Sequence, residues 1–275
     1  FFLIHPTMKC NLRCECCHFK VEHVGSMYKW HGYKKEHFII EELSWWEWLK
    51  GLERFRPYHL EFSGGEPLLY KDFKTLIAHI PRDSTWAITS NSLLDVSGID
   101  MEKCICWTAS YHWKNEDKFL DNMKRLNWSG IRPKISIVVE KNKFDECIEK
   151  AWFFKHKGFG VNLLRELNEG VNWEGSKEWE KLIELRSAGF NVVEEDIPAK
   201  YEFSRGYICD AGKTYFAVMP DGKVYTCYSA AMCGESIGNI FDVIPKIDSF
   251  ECFHECMACA MDYKFRIKKI EKVFA

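Results

Sequence analysis

Directly after the apolar opening run Phe1-Phe2-Leu3-Ile4-His5 comes Cys10-Asn11-Leu12-Arg13-Cys14-Glu15-Cys16-Cys17. The opening run reads as a strand, so the cysteines occupy the loop that follows it. Cys10, Cys14 and Cys17 are spaced C-x3-C-x2-C, which lets one loop wrap three corners of a four-iron cubane. The fourth iron would then lack a protein ligand, and an open metal position is what substrate-binding sites keep. A zinc knuckle or a closed four-ligand site, with Cys16 or His18 as the fourth ligand, is the alternative reading of the same residues.

A second motif follows the second strand-like run. Tyr58–Phe62 leads into Ser63-Gly64-Gly65-Glu66-Pro67, where two glycines allow a backbone to approach a ligand closely. In order and distance the pair resembles the radical S-adenosylmethionine (radical SAM) superfamily, with C-x3-C-x2-C after the first strand and Gly-Gly-Glu-Pro after the second. Cys16 stands where that family usually places an aromatic residue, and spacing favours Cys17 over Cys16 as the ligand.

The resemblance implies that Cys10, Cys14 and Cys17 hold a [4Fe–4S] cluster whose open iron binds the amino and carboxylate groups of S-adenosylmethionine. One electron then cleaves the sulfonium C–S bond, and a 5′-deoxyadenosyl radical takes a hydrogen atom from substrate. The cofactor carries this chemistry, while the protein orients it and excludes side reactions. It implies further that Gly64, Gly65, Glu66 and Pro67 meet the methionine amino group. Ser90 and Asn91 take the ribose position, with Ser110 and Arg165 as candidates for ribose and carboxylate. A reductase or flavodoxin-type donor is the implied electron source.

Outward from these motifs, apolar runs alternate with amphipathic stretches as far as residue 195. Strands are predicted at Phe1–His5, Tyr58–Phe62, Thr85–Thr89, Cys104–Ala109, Lys134–Val139 and Gly160–Leu164. Helices are predicted at Glu42–Phe55, Lys71–His79, Glu116–Asn127, Phe144–Lys157 and Ser176–Ala188. In the first helix Leu43, Trp46, Leu49 and Leu52 are read as one face, with Ser44 as N-cap. Such alternation means βα units on a parallel sheet, and about six units are fewer than a closed barrel needs. The predicted fold is therefore α/β, a partial (β/α)6 barrel over residues 1–195. Residues 18–41 carry His18, His23, His31 and His37 without a helical or strand period, and read as a surface loop or a flap over the substrate.

Past residue 196 helical periodicity stops and six of the thirteen cysteines fall between Cys209 and Cys259. Pro220-Asp221-Gly222 between two strand-like runs signals a hairpin, since Pro presets φ and Gly accepts positive φ. Residues 196–275 look like the auxiliary-cluster extension of the same superfamily, in its single-cluster twitch form rather than the full SPASM form. By that resemblance Cys209, Cys227, Cys256 and Cys259 hold a second, auxiliary [4Fe–4S] cluster. A zinc-ribbon-like site with the same four ligands is the alternative. Cys233 and Cys252 are left over, as buried thiols, alternative ligands or hydrogen-atom donors. Cys104, Cys106 and Cys147 lie in strand- or helix-like segments and read as core.

Composition narrows the rest. Charged residues are 28% and the net charge is −2, unlike the basic footprint of a nucleic-acid binder. No apolar run is long enough for a signal or a membrane span. Thirteen cysteines in a chain of 275 residues suit metal ligation in a reducing cytoplasm better than disulfides. The expected reaction is oxidation or epimerisation of a small polar substrate, as in small twitch enzymes of aminoglycoside biosynthesis. Peptide or protein modification is the alternative. Relatives that modify peptides commonly carry an added recognition domain, and none is visible. A non-catalytic iron–sulfur electron carrier is the reading from another class. It would have no need of the Gly-Gly-Glu-Pro loop.

Overall fold

The structure is a computed structural model that describes residues 1–14, 41–166, 173, 175–192, 207–245, 247–251 and 266–269. Cys16, Cys17, the histidines between residues 18 and 41, and Cys252, Cys256 and Cys259 lie outside the described residues.

Among the described residues, seven parallel strands and five α-helices build the wall of the molecule. Its elements are β1 (Phe2–Ile4), α1 (Trp45–Leu52), β2 (His59–Phe62), α2 (Phe73–Ala78), β3 (Thr85–Ser90) and β4 (Cys104–Tyr111). They continue as α3 (Glu116–Trp128), β5 (Lys134–Val139), α4 (Phe144–His156), β6 (Gly160–Arg165), α5 (Lys177–Glu184) and β7 (Asn191–Val192). Strands β1 to β7 are parallel and hydrogen-bonded in chain order. Right-handed crossovers between sequential parallel strands keep the helices on one face and curl the sheet as a barrel wall. The fold is thus the α/β partial barrel expected from the sequence.

Alternation along the strands sorts their side chains. Leu60 and Phe62, Trp86 and Ile88, Ile135, Ile137 and Val139, and Val161 and Leu163 face the helices and are buried. They pack with Trp48, Leu52, Phe73, Phe119, Met123 and Phe154. An edge-to-face series Phe62–Trp86–Trp107 runs through this layer. Several of the alternate, inner-face positions are polar and half-buried, among them Thr108, Ser110, Ser136 and Asn162. Asn191 Nδ2 donates to Asn162 Oδ1 at 2.9 Å and Asn162 Nδ2 to Ser136 Oγ at 3.3 Å, bridging three strands.

Helix α1 starts with the expected Ser44 cap, as a capping box: Ser44 N donates to Glu47 Oε2 at 2.8 Å. Its buried face differs from the expected one. Trp48 and Leu52 are buried and Trp46 is 51% exposed. A strict spacing of three turns 60° per step at 100° per residue, so Leu43, Trp46, Leu49 and Leu52 cannot share one stripe, whereas Trp45, Trp48 and Leu52 can.

The remaining described elements are β8 (Tyr207–Cys209), β9 (Phe216–Val218), β10 (Lys223–Tyr225), α6 (Tyr228–Cys233), β11 (Gly238–Asn239), β12 (Phe250–Glu251) and β13 (Arg266–Lys269). The hairpin signal at Pro220-Asp221-Gly222 falls between β9 and β10, which pair antiparallel, and Gly222 has φ +78°. Strand β9 lies parallel to β1, so β11-β10-β9 extends the barrel sheet to ten strands. Strands β12, β8 and β13 form a separate small antiparallel sheet. Among the described residues no helix is long and apolar enough to cross a membrane.

His5 closes β1 and is 1% exposed, with its ring 5.6 Å from that of Tyr228. Burial lowers its pKa from 6.5 to about 3. The unfolded imidazole takes up a proton near 6.5 while the folded one does so only near 3. His5 therefore leaves stability intact above 6.5 and removes it as pH falls from there towards 3. Between pH 6.5 and 5.5 the loss should reach roughly 1 kcal/mol. Urea unfolding of wild type and His5→Phe across that range checks it. The expected result is a pH slope that is smaller in the variant.

Candidate functional site

The parallel barrel strands end on one rim, and the described candidate binding residues of the barrel stand there. The carboxyl end of β1 leads to Cys10, β2 to Gly64, β3 to Ser90 and Asn91, β4 to Ser110 and β6 to Arg165. Ligands of parallel α/β sheets bind at this end.

Backbone bonds lace the two motifs together. Ser63 N donates to Ile4 O at 2.9 Å, Gly65 N to Thr7 O at 3.2 Å and Glu66 N to Lys9 O at 2.7 Å. The two glycines permit this approach. Gly64 has φ +118°, and a Cβ there would stand 2.6 Å from Thr7 O. A Cβ on Gly65 would overlap the carbonyl oxygens of Met8 and Lys9. The cysteine loop is thus held from below before any metal is considered. Thr7 Oγ1 adds a bond to Glu42 Oε1 at 2.6 Å, and Lys9 Nζ pairs with the same carboxylate at 2.9 Å. The Lys9 side chain is 72% exposed, so the buried Thr7 bond is the stronger tie.

Glu66 is 1% exposed and ties β2 to β3. Its carboxylate accepts Asn91 N at 2.7 Å, Ser90 Oγ at 2.8 Å and Leu68 N at 3.1 Å. Burial pushes this carboxyl up, and the three donors pull it back. Asn91 Nδ2 reaches Asn11 Oδ1, inside the cysteine loop, at 2.7 Å. Ser90 and Asn91 are more than an ordinary turn: they fasten three rim loops to one another. Ser110 and Arg165 stand on the same rim, and the Arg165 guanidinium lies 5.2 Å from the centre of the Trp179 ring.

Sulfur chemistry sorts the described cysteines into two sets. Cys10 Sγ accepts Leu12 N at 3.4 Å, Cys209 Sγ accepts Ala211 N at 3.4 Å and Cys227 Sγ accepts Ala230 N at 3.4 Å. Cys14 Sγ lies 3.3 Å from His112 Nδ1. Donors aimed at sulfur suit thiolates, the form that ligates metal. Cys104 and Cys147 instead donate S–H to Cys106 O at 3.6 Å and Val138 O at 3.9 Å. Burial pushes the Cys104 thiol up to about 12 and raises that of Cys147, so these two are core thiols. The donor sets of Cys10 with Cys14, and of Cys209 with Cys227, fit an iron–sulfur group. Among the described residues no three His, Cys, Asp or Glu side chains group around one metal position, since the remaining proposed ligands lie outside them.

Cys209 ends β8, and Cys227 caps α6. Both are buried in one apolar cluster with Leu3, Tyr215 and Tyr228, against which Met8 packs. Cys233 ends α6. His112 and Asn11 were not singled out from sequence. The signal for His112 was its place just past the end of β4, two residues beyond Ser110. Burial lowers its imidazole pKa.

No family model matches the chain. The GTP 3′,8-cyclase of Aquifex aeolicus (strain VF5) is 24% identical over 266 residues, covering 82% of this chain and 80% of that protein. Streptococcus suis SuiB bound to the precursor peptide SuiA superposes with a TM-score of 0.61 at 16% identity, over 88% of this chain and 62% of SuiB. The chain thus spans less than two thirds of SuiB's length. Native anSMEcpe with bound AdoMet and Kp18Cys peptide gives a TM-score of 0.60 at 18% identity, over 88% of this chain and 78% of that one. These likenesses, all under 25% identical, show the α/β partial-barrel fold for this chain.

Proposed function

We propose that the chain is a radical SAM enzyme that abstracts a hydrogen atom from a small polar substrate, leading to oxidation or epimerisation. The observation that carries this reading is the lacing of the cysteine loop to the Gly-Gly-Glu-Pro loop through Gly65 N, Glu66 N and the Asn91–Asn11 bond. Cys10, Cys14 and Cys17 would hold a [4Fe–4S] cluster. With S-adenosylmethionine bound, that cluster would supply the one-electron chemistry that cleaves the sulfonium C–S bond and starts hydrogen abstraction. Gly64–Pro67 keep the loop low enough for a ligand to sit above it, and Glu66 locks Ser90 and Asn91 at its side. The polar inner wall of Thr108, Ser110, Ser136 and Asn162 suits a substrate rich in hydroxyl or amide groups. Cys209, Cys227, Cys256 and Cys259 would hold an auxiliary cluster, as an electron acceptor. A reductase or flavodoxin-type donor in the cytoplasm would be the electron source.

Peptide modification is a second reading, favoured by the peptides bound in the SuiB and anSMEcpe structures. Fractionating candidate substrates by size and following substrate-dependent 5′-deoxyadenosine formation separates the two. Stimulation by peptides alone would replace the small-substrate reading. The auxiliary site is tested by iron and sulfide analysis after anaerobic reconstitution. About eight irons per chain are expected from two four-iron clusters, and a steady value near four, or stoichiometric zinc, removes that site. Turnover in deuterated water separates oxidation from epimerisation. A thiol returning hydrogen from Cys233 or Cys252 would leave one solvent deuterium on the product carbon, and oxidation would leave none there.

A further inference from the structure

Strand β4 delivers one more group to the rim. Tyr111, its last residue, packs edge-on against Phe119 of α3 and Phe154 of α4, and its hydroxyl donates to Glu116 at 2.6 Å. Tyr111 thus faces the helices, and alternation sends Ser110 and His112 to the inner face. There His112 Nδ1 meets Cys14 Sγ at 3.3 Å across 98 residues of sequence. The next residues are held in an uncommon shape. Trp113 has φ +56° and Asn115 φ +45°. Left-handed backbone at a tryptophan is strained and persists where the surroundings over-determine it, as at functional sites.

We propose that His112 is a positioning residue for the N-terminal cluster: its ring N–H holds the Cys14 sulfur and eases reduction of the cluster. The proposal rests on the radical SAM reading above. A cysteine bound to iron carries no hydrogen on sulfur, so of the two partners only Nδ1 can donate, which fixes the tautomer. A hydrogen bond to a ligand sulfur draws charge from the cluster. It favours the reduced form, which carries one more negative charge, and so raises the reduction potential. The same bond fixes the rotamer of the middle cysteine of the motif and ties the cysteine loop to β4, as Asn91 ties it to β3.

The test is an anaerobic redox titration of the reconstituted full chain, followed by EPR of the cluster signal that changes when S-adenosylmethionine is added. At the potential where the wild-type cluster is half reduced, His112→Phe should show a reduced-to-oxidised ratio roughly two- to tenfold lower, the range of one net hydrogen bond. In His112→Asn the side-chain amide places a donor near the position of Nδ1, and the ratio should return to within twofold of wild type. A merely structural role would not discriminate Phe from Asn by potential. Equal potentials in wild type and His112→Phe would overturn the proposal, as would an equal drop in both variants. If His112→Phe takes up no cluster, wild-type protein labelled with 15N-histidine decides by pulsed EPR. One histidine nitrogen coupled to the S-adenosylmethionine-responsive cluster and lost in His112→Asn is the expected result, and no such coupling overturns it. Absence of any cluster responsive to S-adenosylmethionine would remove the radical SAM reading together with this proposal. A responsive cluster with an unshifted potential would remove this proposal alone.

Discussion

Changing Cys10, Cys14 and Cys17 together to Ala is expected to abolish reductive cleavage of S-adenosylmethionine, leaving a residual rate at least about a thousandfold below wild type. The variant would lose all three proposed cluster ligands, and the cofactor rather than the side chains carries the bond cleavage. The fold itself should survive, because the loop is held by backbone bonds at Thr7 and Lys9 and by Glu42, none of which involves a cysteine. Cys209 and Cys227 lie in a separate apolar cluster, so the visible spectrum of the proposed auxiliary site should remain. Cys16→Ala alone should retain cleavage, which checks the choice of Cys17. Formation of 5′-deoxyadenosine by the triple variant would refute the ligand assignment.

Gly65→Ala should also be damaging, without touching a ligand. The added Cβ would overlap two backbone carbonyl oxygens, those of Met8 and Lys9, and backbone cannot swing aside as a long side chain can. Gly65, unlike Gly64, lies outside the left-handed region, so the effect isolates close approach from backbone strain. The clash would loosen the bonds Gly65 N–Thr7 O and Glu66 N–Lys9 O. Overpacking and weakened bonds together should cost about 2–4 kcal/mol of stability. Affinity for S-adenosylmethionine should fall at least tenfold, roughly the effect of misplacing a binding loop by an ångström or less. Urea unfolding and equilibrium binding measure the two effects, and a variant unchanged in both would sink the account of the loop.

Much of the barrel was legible in the sequence because its signals are local. Lys134–Val139 is apolar at every second position and β-branched, and it is a strand with those very ends. Ser44 and Glu47 stand three apart at the start of an apolar helix and form the capping box. What escaped was set by tertiary partners. Strand β7 is only two residues long, Asn191–Val192, and exists because β6 offers its edge. The pairing of β9 with β1 joins residues more than two hundred positions apart, which no local pattern encodes. Helix α6 is a short run of small residues, Tyr228–Cys233, with no apolar period to read. At the site, motif spacing pointed to Cys10, Cys14 and the Gly64–Pro67 loop. It could not show that the Glu66 carboxylate would be spent on Ser90, Asn91 and Leu68, nor that His112 would meet Cys14.

Binding and cleavage of S-adenosylmethionine at this rim is the activity proposed for the chain. The most direct measurement incubates the anaerobically reconstituted chain with S-adenosylmethionine and dithionite, and quantifies 5′-deoxyadenosine and methionine by mass spectrometry. Equimolar 5′-deoxyadenosine and methionine, dependent on reductant and absent from the Cys10/Cys14/Cys17 variant, is the expected result. A chain that holds its iron, becomes reduced and yet yields no 5′-deoxyadenosine would contradict the claim and leave an iron–sulfur electron carrier in its place.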